Sequence, residues 1–183
     1  MNSATARLER RGLDVSELTG ALDGFYCYNV SVALWADAVA NRLSGPALYL
    51  LADELAEVAG DARAASARLA DRVGDLGGTV TADPRQLPGR FPVDFTIPAN
   101  CADPAAILNA AAPNLRAVID AYEDFLDQVR GADDVSHHLI TKLLGKETHR
   151  LADLEAAQET SRLTTNENGP DTRAHAAGHQ DRQ

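Results

Sequence analysis

The sequence predicts an all-α protein, a four-helix bundle of up-down-down-up order with a long crossover between its second and third helices. Three observations carry that reading: an alanine-rich composition, apolar side chains recurring at helical spacing over four long segments, and one proline-rich connection too long for a hairpin. Of the 183 residues 45% are hydrophobic but only 5% aromatic. That balance suits close-packed helices, whereas sheets favour β-branched and aromatic side chains. The length closes one compact core and is short for two domains.

Residues 1–13 carry Arg7, Arg10 and Arg11 without the apolar stretch of a signal peptide, and read as a flexible N-terminal arm. Residues 14–162 hold the bundle. Asp14 is a candidate N-cap for a first long helix from Val15 to Leu43, with a stripe of Leu18, Leu22, Phe25, Val32, Trp35 and Val39. Ser44-Gly45-Pro46 then breaks the pattern, and so short a turn lays the next helix antiparallel to the first. In that second helix Leu48, Leu51, Leu55, Val58, Ala62, Ala65, Leu69, Val73 and Leu76 step by threes and fours up to Gly77-Gly78. Gly60 and Gly74 cost helix stability there and suggest close approach to another helix.

Thr79 to Asp103 contains Pro84, Pro88, Pro92 and Pro98, with β-like pieces such as Phe91 to Phe95. A connection of roughly 25 residues lets the chain travel the length of the bundle and start the third helix parallel to the second. Asp103-Pro104 opens a short helix that Pro113 is expected to interrupt, so the third long helix is predicted from about Pro113 to Gly131 along Leu115, Val118, Tyr122, Phe125 and Val129. Asp133 or Asp134 caps the fourth, where Ile140, Leu144, Leu151 and Leu154 flank Glu147, the one ionisable residue clearly on a core seam. Residues 163–183 are polar, aperiodic and contain Gly and Pro, and are expected to be a disordered C-terminal tail.

Seventeen Lys and Arg stand against twenty-seven Asp and Glu, a formal charge of -10 that repels phosphate and argues against DNA as a partner. Cys27 and Cys101 are too few for a disulfide framework or a paired-cysteine metal knuckle. No apolar run approaches the ~18 residues a membrane helix needs, so no membrane is expected and the cytoplasm is the default location.

Specific strings then carry a family resemblance. Gly45-Pro46-Ala47-Leu48-Tyr49-Leu50-Leu51-Ala52-Asp53-Glu54-Leu55 resembles the G-P-x-F-x-x-L-H-x-x-F-D-E-L start of the second helix in the Dps branch of the ferritin superfamily. Ala70-Asp71-Arg72-Val73-Gly74-Asp75-Leu76-Gly77-Gly78 resembles its A-E-R-I-x-x-L-G-G close. Asp133-Asp134-Val135-Ser136 and Glu147-Thr148-His149-Arg150-Leu151 resemble the D-x-x-T and E-K-H-x-W parts of its fourth helix. The likeness spans about 140 residues, Leu13 to roughly Ala156, and consists mostly of packing and turn residues.

What the resemblance implies is a ferritin-like bundle, a symmetric homo-oligomer (a dimer or a dodecamer-like shell), and iron sequestration with protection from oxidative stress. The activity implied is ferroxidase-type, ferrous iron oxidised by peroxide or dioxygen. Residue by residue the ligands transfer poorly. The motif histidine falls on Ala52, later carboxylates on Ala56 and Ala67, and only Asp71 keeps an oxygen ligand of the intersubunit site. For the other site, inside the bundle, the expected heights carry Phe25, Ala62, Ala65 and Val118, and the E-x-x-H window of the fourth helix reads Lys146-x-x-His149. Hard iron ions need oxygen and imidazole donors, and methyl groups supply neither. Asp71, Glu147 and His149 are the metal candidates that remain, and no other cofactor is implied.

Each has a plainer reading beside it. Glu147 can lean outward or pair with a cation or Asn29, and His149 can be an ordinary hydrogen-bonding residue; His137 and His138 read as first-turn surface residues whose copies a symmetric assembly could bring together. Asp53, Glu54, Glu57 and Asp61 line an ion path or form a solvated helix face. Tyr26, Tyr28 and Trp35 carry electrons or simply pack, and His175 and His179 in the tail bind metal weakly. The sequence therefore supports two functions: an iron-sequestering member with a degenerate ferroxidase centre, or a catalytically inert scaffold acting in assembly.

Overall fold

The computed structural model describes residues 3–91 and 93–167, with side chains over 4–91 and 93–159. Six helices follow in order: α1 Ser3–Arg10, α2 Val15–Ala40, α3 Gly45–Asp75, α4 Leu87–Arg90, α5 Pro104–Val129 and α6 Asp134–Glu167. The all-α bundle with a long crossover is borne out, and no strand occurs among the described residues.

Local chemistry sets the helix ends. The Asp14 carboxylate accepts from the Ser16 and Glu17 N–H groups at 2.8 and 3.2 Å, satisfying donors that a helix start leaves open. Gly77, at φ 82°, turns the chain out of α3 in the left-handed region, and the Gly78 N–H donates back to the Val73 carbonyl at 2.9 Å. Asp103 caps α5 through the Ala105 N–H at 2.9 Å. At the start of α6 it is Asp133, of the two candidates, that accepts from the Ser136 N–H at 3.2 Å.

Side-chain pairs reveal the directions. Phe25 meets Phe125, while Asn29, a turn later on α2, meets Tyr122, a turn earlier on α5, so these two helices run oppositely. Arg72 at the end of α3 meets Asp133 and Ser136 at the start of α6, and Asp61 farther back meets Lys146 and Arg150 farther on. Arg116 and Asn109 of α5 pair with Glu155 and Gln158 of α6 in the same opposed sense. With α2 and α3 joined by a tight turn, the order is up-down-down-up.

The crossover climbs α2 from its first half to its end. Thr81 donates through N–H and hydroxyl to the buried Asp23 carboxylate at 2.6 and 2.7 Å. Phe91 and Phe95 then pack on Tyr28, with ring centroids 5.2 and 5.9 Å apart, and the Trp35 indole donates to the Thr96 carbonyl at 3.2 Å. The Ser44 N–H finally donates to Cys101 at 3.4 Å. Instead of the β-like pieces the sequence suggested, the described residues of this route contain one short helix, α4.

Four other expectations are corrected. The described part of the predicted arm is not loose: α1 buries Leu8 to 1% exposure, and Thr5 donates to the Leu76 carbonyl at 3.1 Å. Pro113 does not interrupt the third long helix, because it and Asn109, one turn earlier, lie on the exposed face where water can serve the carbonyl that proline leaves unbonded. The fourth long helix runs on to Glu167, so 163–167 are helical, while the rest of the predicted tail lies outside the described residues. Gly60 and Gly74 mark no close approach, since a Cβ at either would meet nothing within 4 Å. The close approaches belong to Gly24, where a Cβ would sit 3.2 Å from the Arg90 carbonyl oxygen, and to Gly78, packed on Val73 and Thr19.

Candidate metal centre

At mid-height the bundle interior is built by Phe25, Tyr28 and Asn29 from α2, Ala62 and Ala65 from α3, Val118 and Tyr122 from α5, and Glu147 from α6, all buried. The Asn29 amide donates to the Phe25 carbonyl at 2.8 Å and to the Tyr122 hydroxyl at 3.2 Å, so the polar atoms of this layer serve one another. Burial raises both the Tyr28 and Tyr122 phenols well above their ordinary value, with the Glu147 charge as the second cause, and both remain neutral. Of the aromatic groups weighed as electron carriers, Tyr28 and Trp35 are buried and Tyr26 half-buried, and Tyr28 packs on Phe91 and Phe95.

Glu147 is inside, as its seam position predicted, and its carboxylate accepts from the Arg150 guanidinium at 2.9 Å. Arg150 also donates to Asp61 at 3.2 Å, and Lys146 holds the other Asp61 oxygen at 2.6 Å. Two carboxylates and two cations therefore form one chain of charge between α3 and α6. Burial pushes the Glu147 carboxyl up and Arg150 pulls it back, leaving it above the ordinary glutamate value. Burial works against the Arg150 charge too, but the Glu147 carboxylate outweighs it and holds the guanidinium firmly protonated.

The other two metal candidates are elsewhere. Asp71 is exposed on α3. His149 has an 81% exposed side chain and faces Asp153 at 3.4 Å. The E-x-x-H window read as Lys146-x-x-His149 is one position early: the inward pair on α6 is Glu147 and Arg150. Among the described residues no three His, Cys, Asp or Glu side chains gather as a metal group would require. Phe25, Ala62, Ala65 and Val118 offer no lone pair to a metal, and neither does a guanidinium, whose nitrogens only donate N–H bonds. This set does not fit a pair of iron ions, whose sites are lined by carboxylates and imidazoles.

Three buried charges escaped the sequence reading. Asp23 pins the crossover, while Arg72 and Asp133, 9% and 1% exposed, bridge α3 to α6. Asp61, grouped with Asp53, Glu54 and Glu57 on a solvated face, is half-buried whereas those three are exposed. Beside Glu147 and Arg150 lies an apolar cavity of about 80 Å³ walled by Trp35, Leu55, Val58, Ile107 and Leu115, among others.

The family follows from this architecture. The model of the ferritin-like domain matches residues 33–163, and the chain belongs to that family. Among solved structures it is similar to a dodecameric thioferritin, the bacterioferritin-related protein of Bacteroides fragilis, at 18% identity and TM-score 0.85, with 93% of this chain and 100% of that one covered. It is likewise similar to the Dps protein of Vibrio cholerae O1, at 12% identity and TM-score 0.72 over 78% and 89% of the two chains. Dps92 of Deinococcus radiodurans aligns at 15% identity and TM-score 0.71 over 78% and 86%. No curated protein sequence matches significantly. The Dps-like ferritin architecture read from the sequence motifs is the one found, and no described helix is long and apolar enough to cross a membrane.

Proposed function

We propose that this chain is a cytoplasmic, shell-forming ferritin-fold subunit of the iron-sequestering, oxidative-stress class, and that its own four-helix interior holds no ferroxidase centre. The observation that carries the reading is the pairing of a ferritin-like helical architecture with an interior closed by Arg150 and Glu147. Self-association is supported by Leu34, Leu48, Tyr49 and Leu50, which are 58, 43, 87 and 67% exposed in the turn-proximal halves of α2 and α3. These side chains near the α2–α3 turn leave apolar surface in water that a contact would bury. The dodecameric Bacteroides fragilis neighbour supports a second copy of this chain as the occupant. Asp71 and His149 are outward oxygen and imidazole groups available to such a contact. A second reading, an inert scaffold for assembly, draws on the same Arg150 pairing and needs no iron at all.

Purified protein is tested by light scattering and by ferric absorbance after ferrous iron and peroxide are added. The reading expects a closed oligomer that accumulates ferric iron slowly. Fast oxidation in proportion to the number of chains overturns the absent centre, and a stable monomer overturns the shell. An oligomer that takes up no iron selects the scaffold.

A further inference from the structure

We propose that the Arg150 guanidinium is a built-in substitute for a metal cation: it holds the positive charge between the Glu147 and Asp61 carboxylates, and the single change Arg150→His turns this cluster into a divalent-cation site. The inference stands apart from whether the chain assembles or stores iron, because it rests on the cluster alone. Arg150 follows Glu147 by three residues on α6, the spacing at which ferritin-like bundles place the histidine of a Glu-x-x-His pair. Both side chains are on the inward face, with 17% and 11% of their surface exposed. Opposite them, α3 contributes Asp61, whose Oδ2 accepts from Arg150 while Oδ1 is held by Lys146.

Chemistry decides what each residue can do there. A guanidinium stays charged and has no lone pair to give, so it neutralises the carboxylates without binding an ion. An imidazole is shorter and, unlike a guanidinium, gives up its proton to a metal near pH 7, so with it the cluster can lose a positive charge and gain a nitrogen ligand. The Glu147 and Asp61 carboxylates then face each other across the space the guanidinium vacates, and with Lys146 alone left to offset them the cluster carries a net negative charge that attracts a hard or borderline divalent cation. Asn29, Tyr28 and Tyr122 are already engaged or neutral and do not compete for the charge.

The probe is Co2+ alone, titrated at pH 7 into the wild-type protein, Arg150→His, and Arg150→His combined with Glu147→Gln, with bound metal measured by dialysis and the visible d–d band recorded. Arg150→His is expected to hold one more Co2+ per chain than the wild type and to develop the band, and adding Glu147→Gln removes both. Surface histidines cancel in that comparison. Wild-type protein that itself binds Co2+ through Glu147, or a folded Arg150→His that binds no more than wild type, overturns the proposal. Should Arg150→His not fold without metal, the pair Arg150→Met and Arg150→Met with Glu147→Gln decides. Charge compensation expects the second substitution to recover much of the melting temperature lost to the first, and additive losses refute it.

Discussion

Replacing Arg72 by Met tests whether the α3–α6 junction is held by a buried charge pair. Methionine keeps most of the apolar stem and removes only the guanidinium. In the native protein that group donates to both Asp133 oxygens at 2.8 and 2.7 Å and, through Nε, to the Ser136 hydroxyl at 2.8 Å. Because the Asp133 side chain is 1% exposed, the variant strands its carboxylate away from water. Breaking a buried pair on one side costs about 3–5 kcal/mol. The Ser136 N–H still donates to Asp133, which places the expectation near the lower end, about 3 kcal/mol. For a chain of this size that is a fall of roughly 6–12 °C in Tm, read by circular dichroism at one fixed protein concentration.

The same pair predicts a pH dependence. Burial raises the Asp133 carboxyl, but hydrogen bonds from Ser136 and Arg72 and the Arg72 charge outweigh it, and the group lies below the ordinary aspartate value. A depressed native value means that the unfolded chain binds the proton first as pH falls. The contribution is therefore complete above the unfolded value of about 3.9 and is lost as pH drops through the lower native value. The gap between wild type and Arg72→Met should be wide at pH 6 and narrow as the solution is acidified past that value. A loss under about 1 kcal/mol, or a gap that does not change with pH, refutes the assignment of this junction to the ion pair.

Three further substitutions test the crossover strap and the helix glycines. Asp23→Ala removes both hydrogen bonds to Thr81 and should cost about 2–3 kcal/mol in urea unfolding, with faster proteolysis of the crossover; unchanged stability and cleavage would show the strap is held elsewhere. Gly60→Ala should stabilise by about 0.5–1 kcal/mol, since its Cβ enters open space inside a helix. Gly24→Ala should instead destabilise, its Cβ pressing on the Arg90 carbonyl oxygen, and equal effects at the two positions would contradict this distinction.

Much of the architecture was legible residue by residue. The Leu48 to Leu76 stripe marks α3, Asp14 and Asp103 cap α2 and α5 as their chemistry suggests, and the proline-rich stretch is the crossover. Periodicity gave no warning that Leu8 docks, because an eight-residue helix with one buried leucine carries too short a pattern to recognise. The site was half-legible. Stepping from Ile140 through Leu143 to Glu147 leads on to Arg150 and Leu154, and that rhythm was available to show that His149 points outward.

A helix's own sequence determines that it forms, where it stops and which of its faces is apolar, because those depend on neighbours within a few positions along the chain. Four helices, one tight turn and one long strap follow from that local information. Which charges are buried, and against what, was decided only when remote helices met. Arg72 finds Asp133 sixty-one positions away, and Arg150 finds Asp61 eighty-nine away. A charge becomes tolerable inside a protein only if a distant segment delivers its counter-charge and shuts out water, and no run of adjacent residues records that delivery.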